Sequence, residues 1–151
     1  MTRLLVIIFF VFFNFNLVQA QDLKIIDGDT IVLNGVKIRF AGIDTPELNQ
    51  TCLKGDQKIS CGIYAKDLLV KKIGNNEPKC VSEGIDVYNR ILAECFVNSE
   101  SLSKFLVRSG YAFAYRKYST KFIDDEEFAK SNKLGMWEMK FQYPWDFRNA
   151  S

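Results

Sequence analysis

A short acidic stretch near the start of the sequence carries the residue types that metal-assisted chemistry needs. Asp27 and Asp29 flank a glycine, Arg39 follows them, and the run Asp44-Thr45-Pro46-Glu47 comes next. Hard divalent cations such as Ca2+ prefer several oxygen ligands, and carboxylates from neighbouring turns supply oxygens and negative charge together. Asp29 and Asp44 are therefore the natural pair of metal ligands.

Phosphate binding and proton transfer have candidates in the same stretch. A guanidinium offers a planar fork to two phosphate oxygens and stabilises the negative charge that builds up during displacement at phosphorus. Arg39 and the later Arg90 are the candidates for that role. Glu47 has the chemistry to take a proton from water, a general-base step worth roughly 10²–10⁴ in rate. The combination suits a hard cation and a phosphodiester.

Each part of this pattern also has an ordinary structural interpretation. Asp beside Gly often caps a turn, Pro46 forces an extended exit from a strand, and an isolated arginine such as Arg90 is usually a surface residue. An EF-hand loop starting at Asp27 is excluded, because Val32 occupies the place of the invariant glycine and Ile38 that of the bidentate glutamate. A different calcium geometry is required.

The composition narrows the chemistry further. The 151 residues include no histidine, which excludes Ser-His-Asp hydrolases, Cys-His proteases and nucleases that depend on an imidazole. The chain has 20 basic and 18 acidic residues, and loss of a leader containing Arg3 would leave 19 and 18, a net charge of +1. This balance does not indicate nucleic-acid binding, so any contact with a polyanion depends on local arrangement.

Residues 1–20 have the pattern of a secretory signal peptide. Arg3 precedes an apolar run from Leu4 to Phe13, and Val18-Gln19-Ala20 has the spacing that signal peptidase reads. The run is shorter than the roughly 20 residues of a membrane-spanning helix, although a retained anchor is the alternative. We expect cleavage after Ala20, a secreted or periplasmic protein without stable membrane association, and a monomeric single domain over residues 21–151.

Four cysteines follow the leader, and an even number in an exported chain indicates disulfides. Three connectivities exist. Sequential pairing, Cys52 with Cys61 and Cys80 with Cys95, fits best, because the first pair brackets one loop and the second falls in neighbouring predicted strands. A zinc site is disfavoured, since there is no histidine and no Cys-x-x-Cys pair.

Apolar periodicity predicts the elements that position these residues. Alternation on both sides of Asn34-Gly35 predicts a hairpin in which Arg39 points away from Ile38 and Phe40. The pattern further predicts helices over residues 62–73, 101–109 and 124–134, and strands over residues 79–82, 91–97 and 111–115. We therefore expect an α+β, mainly β fold with three helices, built around a small closed barrel such as the five-stranded OB-fold.

The sequence resembles the staphylococcal nuclease (thermonuclease) family over nearly all of residues 21–151. The motifs that carry the resemblance are Asp27-Gly28-Asp29-Thr30, the run from Arg39 to Glu47, Asp86-Val87-Tyr88-Asn89-Arg90, the run from Leu106 to Ala112, Leu134-Gly135-Met136-Trp137, and the tail Tyr143-Pro144-Trp145-Asp146-Phe147-Arg148. The family implies an OB-fold with three helices and a Ca2+-dependent phosphodiesterase that cleaves DNA and RNA to 3′-phosphate products.

The resemblance also assigns roles to individual residues. It places the metal between Asp29, Asp44 and the backbone carbonyl of Thr45, with Asp27 just outside the ligands. The catalytic residues it implies are Arg39, Glu47 and Arg90, and the tyrosines that would line the nucleotide pocket are Tyr88 and Tyr115.

Two features depart from the family pattern. Asn89 stands where the family usually has glycine before its arginine, and Asn is the residue other than glycine that best tolerates positive φ. The cysteines are the second departure. Neither removes a reacting group, so a nuclease is favoured over two alternatives: a noncatalytic OB-fold nucleic-acid-binding protein of the cell envelope, and a structural calcium-binding envelope protein that would have no use for Arg39 and Arg90.

Overall fold

The computed structural model describes residues 22–150, so the predicted signal peptide lies outside the described residues. The strands are β1 (Leu23–Ile25), β2 (Thr30–Leu33), β3 (Val36–Phe40), β4 (Ile43–Asp44), β5 (Cys52–Lys54), β6 (Gln57–Ile59), β7 (Lys79–Ile85), β8 (Ile91–Val97), β9 (Glu100–Ser101) and β10 (Phe113–Ala114). The helices are α1 (Cys61–Ile73), α2 (Leu102–Arg108), α3 (Ile123–Ser131), a 3-10 turn at Gly135–Glu138, and α4 (Pro144–Asn149).

The strands form one main sheet and two small ribbons. The main sheet has the order β1-β2-β3-β8-β7, with β9 added to β8, and only the β3–β8 pair is parallel. The ribbons are β4 with β10 and β5 with β6. The mixed α+β, mainly β class is confirmed. Within residues 22–150 the pairings do not join β1 to β7, so the hydrogen-bonded strands form an open sheet rather than a closed ring of five.

The predicted hairpin is present and orients Arg39 as expected. Asn34 and Gly35 have φ values of 51° and 79°, the positive φ that a tight two-residue turn between right-twisted strands requires. The hairpin pairs Thr30 with Arg39. Ile38 and Phe40 are buried in the core beside α1 and α2, whereas Arg39 is only partly buried. Strand alternation therefore separates the core side chains from the arginine.

Two disulfides brace the fold with the expected pairing. Cys80 and Cys95 are direct cross-strand partners on β7 and β8, with a Cα–Cα distance of 4.0 Å. Cys52 on β5 bonds to Cys61, the first residue of α1, with a Cα–Cα distance of 5.9 Å.

The helices differ from the prediction at the C-terminal end of the chain. The third helix ends at Ser131 rather than near Leu134, because Lys133 has a φ of 51° and cannot continue a right-handed helix. Residues 22–150 contain four α-helices instead of three; the additional one, α4, begins at Pro144, whose fixed φ suits a first helical turn. Every helix within residues 22–150 is too short or too polar to span a bilayer.

Candidate active site

The centre of the site is the guanidinium of Arg39, which lies between two buried carboxylates. Its Nη1 is 2.5 Å from Asp29 Oδ1 and its Nη2 is 2.8 Å from Asp44 Oδ1. The side chains of Asp29 and Asp44 are 3% and 0% exposed. The hairpin register sets Arg39 opposite Thr30, next to Asp29, and the short β4 ends at Asp44. The structure therefore brings together three of the predicted site residues.

Burial and mutual repulsion perturb the carboxyl groups of this cluster. Burial, assisted by the charge of Asp29, raises the pKa of Asp44, although hydrogen bonding and charge from nearby arginines oppose the shift. Burial and the charge of Asp29 raise the pKa of Asp27 to about 6. Desolvation lowers the pKa of Arg39, but Asp29 and Asp44 outweigh it and leave the pKa above its ordinary value. Arg39 stays charged, and the cluster carries an excess of negative charge.

The first acidic turn is fitted tightly against the segment that contains Thr45. The backbone N–H of Asp29 donates to Asp27 Oδ1 at 3.0 Å, and the backbone N–H of Thr45 donates to Asp29 Oδ2 at 3.1 Å. A Cβ at Gly28 would lie 2.9 Å from Thr45 Oγ1 and 3.0 Å from Ala65 Cβ. Only glycine permits this close approach, which sets the backbone of Thr45 beside the carboxylate of Asp29.

Glu47 is held through its backbone, and its side chain is 39% exposed. Gln50, which is fully buried, accepts the N–H of Glu47 through Oε1 at 3.2 Å and donates through Nε2 to the carbonyl of Gln142 at 2.7 Å. A Cβ at Gly62 would lie 1.8 Å from the carbonyl oxygen of Glu47, so the start of α1 packs directly on this segment. The sequence prediction missed Gln50, since a single glutamine carries no pattern that reveals its partners.

Arg148, which belongs to α4, also enters the cluster. Its Nη2 is 2.7 Å from Asp44 Oδ2, and its Nη1 is 2.7 Å from Glu47 Oε1 and 3.2 Å from Asp44 Oδ1. The tail that contains Arg148 carries part of the family resemblance, but its sequence predicts no role for this arginine. Its signal was the Tyr143–Arg148 motif, which identifies a segment but not the destination of a side chain.

Among residues 22–150, the side chain of Arg90 contacts Asp86 and Tyr88 rather than the carboxylate cluster. Its Nε pairs with Asp86 Oδ2 at 2.7 Å, its backbone N–H donates to Asp86 Oδ1, and its guanidinium lies 5.4 Å from the ring centroid of Tyr88. Asn89, which stands where glycine was expected, has a positive φ of 60°. Asn is the residue other than glycine that best tolerates such a value. Arg90 directly precedes β8, the parallel neighbour of the strand that carries Arg39.

The two predicted nucleotide contacts differ in their surroundings. Tyr88 is 77% exposed on the β7–β8 connection. Tyr115 directly follows β10, whose residue Phe113 is the register partner of Asp44, so Tyr115 lies near the acidic cluster in the fold. Its ring stacks on Trp145 with a centroid distance of 5.7 Å and an interplanar angle of 6°.

The donor chemistry of the cluster suits a hard cation with few protein ligands. Asp29 and Asp44 offer buried carboxylate oxygens, and the backbone of Thr45 lies beside Asp29. Within residues 22–150 there is no group of three or more His, Cys, Asp or Glu side chains that could hold a metal. Because a hard cation such as Ca2+ takes six to eight oxygens, these protein ligands alone would not complete its shell.

The chain resembles known proteins in its sequence. Residues 37–139 match the family model described as staphylococcal nuclease homologue. The chain is 29% identical over 122 residues to an uncharacterized endonuclease of Haemophilus influenzae, covering 76% of this chain and 63% of that protein. It is 32% identical over 132 residues to the endonuclease YncB of Bacillus subtilis, covering 76% and 59%. It is also 32% identical over 142 residues to an uncharacterized protein of Methanocaldococcus jannaschii, covering 76% and 69%. The chain thus spans less than two thirds of both endonucleases.

Proposed function

Because this chain belongs to the family of staphylococcal nuclease homologues, we propose that it is a phosphodiester-hydrolysing endonuclease that acts on DNA and RNA with Ca2+ as cofactor. The observation that carries the proposal is the Arg39 guanidinium between the buried carboxylates of Asp29 and Asp44, with Glu47 three residues beyond Asp44. A noncatalytic binding module would have no need to bury two carboxylates at this cost in desolvation.

The metal-binding role falls to Asp29, Asp44 and the backbone carbonyl of Thr45. When bound there, Ca2+ would stabilise the negative charge that develops on the phosphoryl oxygens. The excess negative charge of the cluster favours a cation at this position. Asp27 orients the turn, since its carboxylate accepts the N–H of Asp29.

The remaining site residues bind phosphate and move the proton. Glu47, whose side chain is partly exposed, takes a proton from the attacking water. Arg39 contacts the phosphate from the side of the metal carboxylates. In Arg90 the ion pair with Asp86 engages Nε, so we assign phosphate binding to its terminal nitrogens. The charge of both arginines stabilises the transition state more than the ground state, because negative charge accumulates there.

Cleavage of the bond to the 5′ oxygen would leave 3′-phosphate ends. Tyr88 and Tyr115 are the proposed base and sugar contacts. Aromatic rings accept any base by stacking, so they suit a nuclease without sequence preference. The two disulfides support a location outside the reducing cytoplasm, and we propose that the protein is exported.

The test is cleavage of single-stranded DNA and RNA oligonucleotides in Ca2+ and in chelator, with product ends mapped. We expect cleavage only with Ca2+, 3′-phosphate ends, and a kcat lowered roughly 10²–10⁴-fold by Glu47→Gln. Glu100→Gln is the matched control, because Glu100 lies on β9 in an exposed ion pair with Lys72, and we expect no change.

Undiminished cleavage by Glu47→Gln would remove the assigned role of Glu47. If the wild type binds the oligonucleotides and Ca2+ but cleaves neither substrate, the noncatalytic binding module becomes the better interpretation.

A further inference from the structure

The C-terminal helix α4 lies beyond the part of the chain that matches the family model, yet it reaches the centre of the site. The match ends at residue 139, and α4 spans Pro144–Asn149. Arg148 on this helix forms a two-pronged contact with Asp44, through Nη2 at 2.7 Å and Nη1 at 3.2 Å, and Nη1 also donates to Glu47 at 2.7 Å. One guanidinium thus bridges a proposed metal ligand and the proposed base.

Aromatic packing fixes the position of α4. The ring of Trp145 stacks on Tyr143 with a centroid distance of 4.6 Å and on Tyr115 with a distance of 5.7 Å, at interplanar angles of 9° and 6°. It also meets Phe113, which is fully buried, edge to face. Such contacts contribute packing energy beyond burial alone. Arg148, one helical turn after Trp145, is therefore presented by an anchored helix rather than by a free tail.

A second link connects the same tail to Glu47. The carbonyl of Gln142 accepts a hydrogen bond from the buried side chain of Gln50, and that side chain in turn accepts the N–H of Glu47. The tail thus contacts the Glu47 segment through its backbone, by way of Gln50, and through the side chain of Arg148. One direct contact and one contact through Gln50 thus link different parts of the tail to Glu47, so the arrangement does not depend on a single surface ion pair.

The carboxylates of Asp44 and Glu47 can each accept further contacts besides their hydrogen bonds to the arginines. A carboxylate has about four lone-pair sites, and Asp44 accepts three N–H contacts, one from Arg39 and two from Arg148. The bond to Glu47 uses Oε1, so the proton from water is assigned to Oε2.

The four carboxylates of Asp27, Asp29, Asp44 and Glu47 and the two guanidiniums of Arg39 and Arg148 carry a net formal charge of −2. A single divalent cation neutralises it.

We propose that Arg148 is a positioning residue for the proposed nuclease reaction: it holds the carboxylate of Glu47 at a fixed place relative to Asp44. The inference rests on the proposed function. A carboxylate that is 39% exposed has several rotamers, and only those that face the metal-bound region serve as base. The guanidinium selects one of them, and misplacement of a reacting group by about 1 Å can cost roughly 100-fold in rate.

The test compares Arg148→Met and Arg148→Lys with wild type, using kcat and KM on single-stranded DNA at saturating Ca2+, calorimetric Ca2+ affinity without substrate, and the melting temperature. For Arg148→Met we expect a kcat lowered about 10- to 100-fold with KM changed less than about threefold. We also expect Ca2+ to bind at least about threefold more tightly, because a positive charge beside Asp44 is gone. Arg148→Lys retains the charge but not the fork, so we expect wild-type Ca2+ affinity and an intermediate kcat.

The combination of tighter metal binding and slower turnover distinguishes positioning from other roles. A merely structural role predicts weaker Ca2+ binding, a lower melting temperature and no rescue by lysine, and that result would overturn the proposal. A kcat that is unchanged or raised in Arg148→Met would also overturn it; a raised kcat would indicate instead that Arg148 blocks the site. Lys54→Met is the control, since Lys54 pairs with Glu138 where both side chains are exposed, and all readouts should stay at wild-type values.

Failure of the proposed function has a different signature. A wild type that cleaves no substrate under any of these conditions would overturn the nuclease and the positioning role together. An active wild type with a fully active Arg148→Met variant would overturn the positioning role alone.

Discussion

The substitution Arg39→Met should destabilise the fold strongly in the absence of Ca2+. It keeps most of the apolar stem but removes the guanidinium that lies between Asp29 and Asp44. Those two carboxylates have side chains that are 3% and 0% exposed. Water cannot replace the lost partner at such burial, so the variant retains a charge that is poorly solvated in the folded state only.

The remaining contacts set the magnitude. Removing one partner of a buried pair typically costs 3–5 kcal/mol. Asp44 keeps the two-pronged contact with Arg148. Within residues 22–150, Asp29 keeps only neutral donors, the hydroxyl of Thr30 and the N–H of Thr45. The loss therefore falls mainly on Asp29, and we expect about 3 kcal/mol. For a domain of this size, that loss lowers the melting temperature by roughly 10 °C.

Thermal and urea denaturation in chelator and in excess Ca2+ would measure the effect. We expect the difference between variant and wild type to shrink in Ca2+, because the cation supplies the positive charge that Arg39 no longer provides. The double variant Arg39→Met with Asp29→Asn should be more stable than the single variant, since it removes the unpaired charge. Lys54→Met is the control: Lys54 pairs with Glu138 where both side chains are exposed, and we expect wild-type stability.

Two results would refute this reasoning. If Arg39→Met is as stable as Lys54→Met in chelator, then water solvates the carboxylates of Asp29 and Asp44 in the folded variant despite their burial in the wild type. If the double variant is less stable than the single variant, the cost lies in lost packing and not in the unpaired charge of Asp29.

Three further predictions concern stability. The folded protein holds the Asp27 proton with a pKa of about 6 against 3.8 when unfolded, so without Ca2+ stability should fall as pH rises from 4 to 6. Asp27 accounts for at most about 3 kcal/mol of this loss, and the raised pKa of Asp44 adds to it; Asp27→Asn should therefore reduce the slope in denaturation titrations and be more stable than wild type at pH 7, and an unchanged slope would contradict the assignment. Cys80→Ser with Cys95→Ser opens a loop with a sequence separation of 15 and should cost about 3 kcal/mol in urea denaturation, whereas a loss below about 1 kcal/mol would contradict the chain-entropy estimate. Asn89 has a φ of 60°, so Asn89→Gly should retain stability and cleavage while Asn89→Ala should lose about 1–2 kcal/mol; equal melting temperatures for the two would show that this turn is not strained.

Local patterns were enough to predict much of the fold. The alternation around Asn34-Gly35 predicted the hairpin and the outward direction of Arg39, and the strand Ile91–Val97 was predicted with its observed bounds. The register that makes Cys80 and Cys95 partners follows from a hairpin between neighbouring strands. These features depend on side-chain period and turn conformation, which a few adjacent residues specify.

The open arrangement of the paired strands and the fourth helix were less accessible to prediction. The parallel β3–β8 pair and the small β4–β10 ribbon join segments far apart in the chain. Such pairings depend on the total apolar area that many side chains bury together, and a local sequence pattern does not reveal that area. The short α4 lacks the length at which helical periodicity becomes informative.

For the site, the sequence by itself determined which residues have the chemistry: the acidic turn, Arg39, the run from Asp44 to Glu47, and Arg90. Only the tertiary structure decided their partners. In the folded protein, Arg39 pairs with two buried carboxylates and Arg90 pairs with Asp86. Arg148, from the far end of the chain, pairs with Glu47. The physical reason is that residue type sets what a group can do, whereas the strength of a charge depends on burial and on neighbours that folding brings together.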